Sequence, residues 1–193
     1  MADLLKPGQG FLYMKVGTHA QESLEDIIKR KAKEIRDAGF ALWGYGGNTC
    51  HPQTMVQPFA RECAAAGETI YLCMEEMNSM HFAEPLRADE YSPDGRNWAA
   101  INPNVNVRGS RYALMLKSLE QVDFPLSLNK SSVAIGNSFG ASGDRYIRGR
   151  VDKACLRLTE TATSEDTSSR RIGLVAELAE PYAVFLRNVK SGG

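Results

Sequence analysis

The chain has 193 residues, a mass of 21.2 kDa, 43% hydrophobic and 24% charged residues, enough to bury a core without metal or disulfide staples. Its 23 basic and 23 acidic residues cancel, which excludes the basic excess on which general nucleic-acid or membrane-surface binding relies. No apolar run reaches the roughly 18 residues that span a bilayer, and Cys50, Cys63, Cys73 and Cys155 match neither a C-x-x-C pair nor a compact disulfide framework.

The start, MADLLKPGQGF, lacks the basic and long apolar regions of a secretory signal. We therefore expect a soluble, cytoplasmic protein with reduced thiols. FLYMKV at 11–16 reads as a strand ended by Gly17. The following SLEDIIKRKAKEIRDAG places Leu24, Ile27, Ile28 and Ile35 near one helical face, with Lys29, Arg30, Lys33 and Asp37 among the polar positions. Ser23 and Asp26 form a capping-box-like start, and Gly39 a stop.

Residues 40–45 form a second strand that runs into GYGGNTCHP, the sharpest feature of the chain. A second helix is expected from Pro58, whose missing N–H costs nothing in a first turn, and TIYLCM at 69–74 is a third strand. The strand, helix, strand, helix, strand order implies a parallel or mixed sheet with crossover helices. Residues 78–104 are rich in turn formers, with SPDG at 92–95, yet His81, Phe82, Tyr91 and Trp98 imply that part of the segment packs.

Strands are expected to dominate thereafter: VNV at 105–107, 111–119, 132–136 and 145–158, then IGLVAEL and YAVFLRNV separated by Pro181. In 145–158, alternation sets Tyr146, Arg148, Arg150, Asp152 and Ala154 on one side and Ile147, Gly149, Val151, Lys153 and Cys155 on the other. TETATSEDTSSR at 159–170 reads as a mobile surface loop. The expected fold is α+β: a single domain with a mixed, barrel-like or strongly curved sheet, two main helices in the N-terminal half and a strand-rich C-terminal half.

Charge is unevenly spread. Residues 1–96 carry 10 basic and 14 acidic side chains, residues 97–157 carry 9 and 4, and residues 158–193 carry 4 and 5. The basic middle could supply a local anion site or simply a solvated face that pairs with the acidic first half.

Two Gly-rich segments are the candidate sites. In the first, Trp43, Tyr45, Gly46, Gly47, Asn48, Thr49 and His51 combine an aromatic wall with backbone N–H groups and side-chain donors suited to an anion. The spacing fits neither a Walker sequence nor GxGxxG, and a tight connection needing positive φ explains it equally well. Cys50 is a candidate nucleophile, with His19 arriving as its base if the first two strands are parallel neighbours. In the second segment, GNSFGASGDRYIRGR at 136–150, Ser138, Phe139 and Ser142 sit beside Arg145 and Arg148, with Arg111 and Arg108 as further members of a basic patch. Its bland alternative is a hairpin with an exposed basic face. Trp98 offers a stacking surface or a core anchor, and Glu75 and Glu76 end the third strand without a placed partner carboxylate.

These features point to a binding protein for an anionic, phosphate-bearing small molecule, with a nucleotide or nucleotide-derived signal the expected ligand, captured without conversion. A hydrolase or transferase using Cys50 or His19 is the alternative, and a protein-interaction domain is the second. No cofactor and no metal is expected, and a homo-oligomer is compatible with the sequence.

Overall fold

A computed structural model describes residues 4–46, 51–81, 86–148, 151–165 and 169–188, with side chains at 79–81 excepted. Its sheet is mixed and open. The strands are β1 (Gly10–His19), β2 (Ala41–Gly44), β3 (Tyr71–His81), β4 (Glu90–Ser92), β5 (Ala99–Ala100), β6 (Tyr112–Leu126), β7 (Ser131–Val133), β8 (Lys153–Leu158) and β9 (Arg170–Arg187). The helices are α1 (Leu24–Ala38), α2 (Gln53–Ala65) and the short α3 (Gly143–Ile147).

The main path runs β2-β6-β9-β3-β1-β8-β7, with β4 attached to β9 and β5 to β4. Among the described pairs of named strands, only β1 and β3 are parallel. The edges at β2 and β7 do not meet, so the barrel-like alternative gives way to a strongly curved open sheet. Curvature comes from β6 and β9, whose pairing shifts register at Leu114/Leu116 and Leu116/Ser118, as bulges bend a strand and increase its twist. Residues 179–182 lack a register partner there, which lets Pro181 lie inside β9 instead of dividing it.

Curling carries β2 back over β1 although three strands separate them in the hydrogen-bonded path. The Trp43 indole N–H donates to Met14 Sδ at 3.3 Å, and the Tyr45 hydroxyl lies 3.1 Å from the Tyr13 carbonyl and 3.3 Å from that of Ala154. Tyr45 is thus a strut between the sheet's two arms. Tyr45→Phe is expected to lower stability by about 1 kcal/mol, measured by urea unfolding; an unchanged midpoint would show that the strut carries nothing.

α1 forms as its sequence demands: the Ser23 hydroxyl accepts from the Asp26 N–H at 3.2 Å, and Gly39 takes a left-handed φ of 85° while its N–H donates to the Ile35 carbonyl. α2 begins at Gln53, not at Pro58, which lies inside it. Pro58 removes a donor for the Thr54 carbonyl, and both residues are exposed, so water can take that place.

The concave face holds a core of Leu12, Val16, Trp43, Leu72, Leu114 and Leu174 under α1 and α2. The convex face buries Phe11, Tyr13, Leu128, Ile147 and Leu156, with a third cluster around Leu42, Ile101 and Val105. Three further expectations change. Residues 105–107 are not a strand, and the 145–158 strand shrinks to β8, because 143–147 coil into α3, where Arg148 returns to pair with Asp144 at 2.8 Å. In the 159–170 loop, Thr163 is fixed: its hydroxyl donates to one of the carbonyls of Asn129 and Ser131, both 2.8 Å away.

Candidate functional site

A cavity of about 330 Å³ opens where β2 folds over the second half of β1. β1 supplies Met14 and Val16 on its concave side, and a register shift between Val16 and Thr18 turns Gly17, Thr18 and His19 along the rim. β2 and the residue beyond Tyr45 supply Trp43, Gly44 and Gly46, while the 106–110 segment adds Asn106, Arg108 and Ser110. Lys153 enters from β8, where it pairs with Met14 across the antiparallel ladder.

Gly44 is required by close approach. A Cβ there would lie 2.3 Å from Ser110 Oγ and 3.0 Å from Ser110 Cβ, far inside ordinary contact. Gly44→Ala is expected to cost about 1–3 kcal/mol, and Ser110→Gly in the same chain should recover most of that loss. Thermal unfolding of the two single variants and the double variant measures this; additive losses would contradict it.

One wall is an ion network that α1 builds. Lys31 is only 3% exposed, and its ammonium donates to Glu34 Oε2 at 3.0 Å and to the carbonyls of Leu42 at 2.5 Å and Asn106 at 2.7 Å. Arg30 bridges Glu22 and Glu34 at 2.5 and 2.9 Å. Its hydrogen bond holds the Glu22 carboxyl below its ordinary value, while burial pulls Lys31 down to about 8. These cations are saturated by the protein.

Lys153 is different. It is 9% exposed, lines the cavity, and among the described residues meets a single carboxylate oxygen, Asp152 Oδ1, at 3.5 Å. Arg108 spends its Nε on Asn106 Oδ1 at 3.1 Å, and among the described residues it forms no ion pair. His19 Nε2 lies 3.1 Å from the Arg108 carbonyl, where a protonated ring nitrogen donates. The site therefore pairs a Trp and thioether wall with two under-satisfied cations, an arrangement suited to a planar anionic molecule.

Of the sequence candidates, Trp43, Gly46 and His19 line this cavity, as do Gly44 and Arg108. β2 runs opposite to β1, so the expected parallel placement of His19 beside the Gly-rich loop is corrected; curvature brings them together instead. Tyr45 is structural, and Gly47, Asn48, Thr49 and Cys50 lie outside the described residues. His51 is buried against Tyr146, with ring centroids 5.9 Å apart and planes at 6°, and Gly136 packs on its edge. Burial lowers its pKa, and among the described residues its Nδ1 has no hydrogen-bond partner.

His51 therefore joins the two Gly-rich segments, but the described residues of the second, 136–148, do not line the cavity. Phe139 is 74% exposed at its tip, next to Ser138. Ser142 is buried against Thr163 with their hydroxyls 3.1 Å apart, Arg145 borders a shallow groove with Asn129 and Ser164, and Arg148 is held by Asp144. Arg111 is exposed, while Trp98 lies under the Arg187 guanidinium, 4.1 Å from ring centroid to carbon. Glu75 faces the convex side, where it accepts from the buried Tyr13 hydroxyl and pairs with Arg170 at 3.6 Å. Burial and that carboxylate hold the Tyr13 hydroxyl above its usual range.

Lys153, Met14 and the Lys31 network were not singled out by motif reading. A signal for Lys153 was present, since alternation set it on the side of Ile147, Val151 and Cys155. Cys63, Cys73 and Cys155 are buried free thiols, and burial raises Cys63 to about 11 and Cys73 to about 12. Among the described residues no helix is long and apolar enough to cross a membrane. Comparison of the chain with family models, curated proteins and solved structures finds no match.

Proposed function

We propose that this protein binds a phosphate-bearing small molecule of nucleotide type in the cavity between β1 and β2 and holds it without chemical change. The observation that carries this reading is Lys153, a buried ammonium whose one carboxylate contact among the described residues is 3.5 Å long. A buried cation is costly unless paired, and an anionic guest supplies the missing acceptors.

Trp43 and Met14 give the guest an apolar face against which a base can lie, and Arg108 offers a second positive group. The volume of about 330 Å³ falls near the lower end of the range for small-molecule sites, so one mononucleotide is the natural size. The site belongs to a rigid frame, since Tyr45 and the Lys31 network tie its walls together.

Thermal-shift measurement against mono-, di- and cyclic nucleotides and nicotinamide derivatives tests the reading. A ligand at a hundred times its Kd stabilises the native state by about 2.7 kcal/mol, which for a chain of this size raises Tm by about 5–10 °C. No rise with any of them at millimolar concentration would overturn it.

A further inference from the structure

We infer that the guest is a phosphomonoester dianion, a nucleoside 5′-monophosphate being the form that fits, and not a cyclic diester or a polyphosphate. This deepens the binding proposal and rests on it. Charge matching around the cavity is what narrows the class. Among the described residues, the cations on the walls besides Lys15 are Arg30, Lys31, Arg108 and Lys153. Arg30 and Lys31 are matched by Glu22 and Glu34 through ion pairs of 2.5–3.0 Å. Asp152 comes no closer to Lys153 than 3.5 Å, and Lys15 turns its ammonium to the convex side, toward the Ile147 carbonyl, also at 3.5 Å.

Among the described residues, Arg108 and Lys153 therefore remain without a close carboxylate, in a protein whose formal net charge is zero. A phosphomonoester carries about −1.5 to −2 at pH 7 and three terminal oxygens. A phosphodiester, cyclic or open, brings one charge and leaves a cation unpaired in a partly desolvated cavity, which is penalised. A triphosphate brings more charge than the walls can neutralise and needs more room than about 330 Å³ gives alongside a base. Lys153 and Arg108 are the two groups with donors to spare, and a dianion uses both.

Isothermal titration calorimetry on the full chain tests this with the four ribonucleoside 5′-monophosphates, and then, for the tightest, its phosphate methyl ester, its 3′,5′-cyclic form and its triphosphate. The monophosphate should bind about tenfold or more tightly than each of these, and Arg108→Gln should shrink its advantage over the methyl ester to within about twofold. A methyl ester, cyclic form or triphosphate that binds as tightly as the monophosphate overturns the dianion inference and leaves the binding proposal standing. If no monophosphate binds while another nucleotide stabilises the protein, the inference alone is overturned. If none of these ligands binds, both fall.

Discussion

Glu34→Ala is expected to destabilise the protein by about 3–5 kcal/mol, because it strips a buried cation of its counter-charge. Glu34 is 2% exposed, and its two oxygens accept from Arg30, Lys31 and the Asn106 N–H. These bonds fasten α1 to the 104–108 segment, and Lys31 extends the tie to β2 through the Leu42 carbonyl. Replacing both partners, as Lys31→Met with Glu34→Leu, should cost far less than Glu34→Ala alone, since no unpaired charge is then left inside.

The pH dependence follows from Lys31. Burial brings its folded-state pKa to about 8, against an ordinary 10.5. Between those values the unfolded chain holds a proton that the folded one has released, so this residue's contribution to stability rises with pH from about 8 to about 10.5. The Glu34→Ala deficit should narrow as pH rises toward about 8, where Lys31 of the intact protein also gives up its proton, and stay level above it, as a neutral amine needs no counter-charge. Urea unfolding at pH 7 and pH 9.5 measures both effects, and a deficit that is small at pH 7 or widens at pH 9.5 would contradict the network described.

Lys153→Met is expected to act with opposite signs on stability and on binding. Removing a buried, poorly paired ammonium should stabilise the empty protein by about 1 kcal/mol, or about 2–4 °C in Tm. The same change should weaken nucleotide binding by about tenfold to a hundredfold, as a charge-assisted contact is lost. Such a trade is the mark of a residue kept for function at the cost of stability. A variant that is less stable when empty, with ligand affinity unaltered, would show Lys153 to be an ordinary structural residue.

The fold was legible where local chemistry dominates. α1 announced itself through Ser23, the spaced isoleucines and Gly39, and β1, β2 and β3 fell where apolar runs met glycines. The direction of β2 was not legible, since its partner β6 lies some seventy residues away and no local feature sets that pairing. Pro181 read as a break because a proline cannot join a ladder, and only tertiary context shows that β9 bulges around it. At the site, Trp43, Gly46, His19 and Arg108 were legible from loop chemistry. Arg145 and Arg148 read as anion ligands by composition, whereas in the fold Arg148 serves α3. Lys31 and Glu34 hid in a run of charges that looks like a solvated helix face, and they are buried because the Asn106 segment and β2 at Leu42 pack over them.

The proposal turns on whether the hollow beside Trp43 and Lys153 is occupied by an anionic guest. A crystal structure of the protein grown with a nucleoside 5′-monophosphate at millimolar concentration asks this directly. The expected result is density for the ligand in the cavity, with its base on the Trp43 side and its phosphate within hydrogen-bond distance of Lys153 or Arg108. Well-ordered density for the cavity residues with no ligand among them, or a ligand bound only elsewhere, would contradict it.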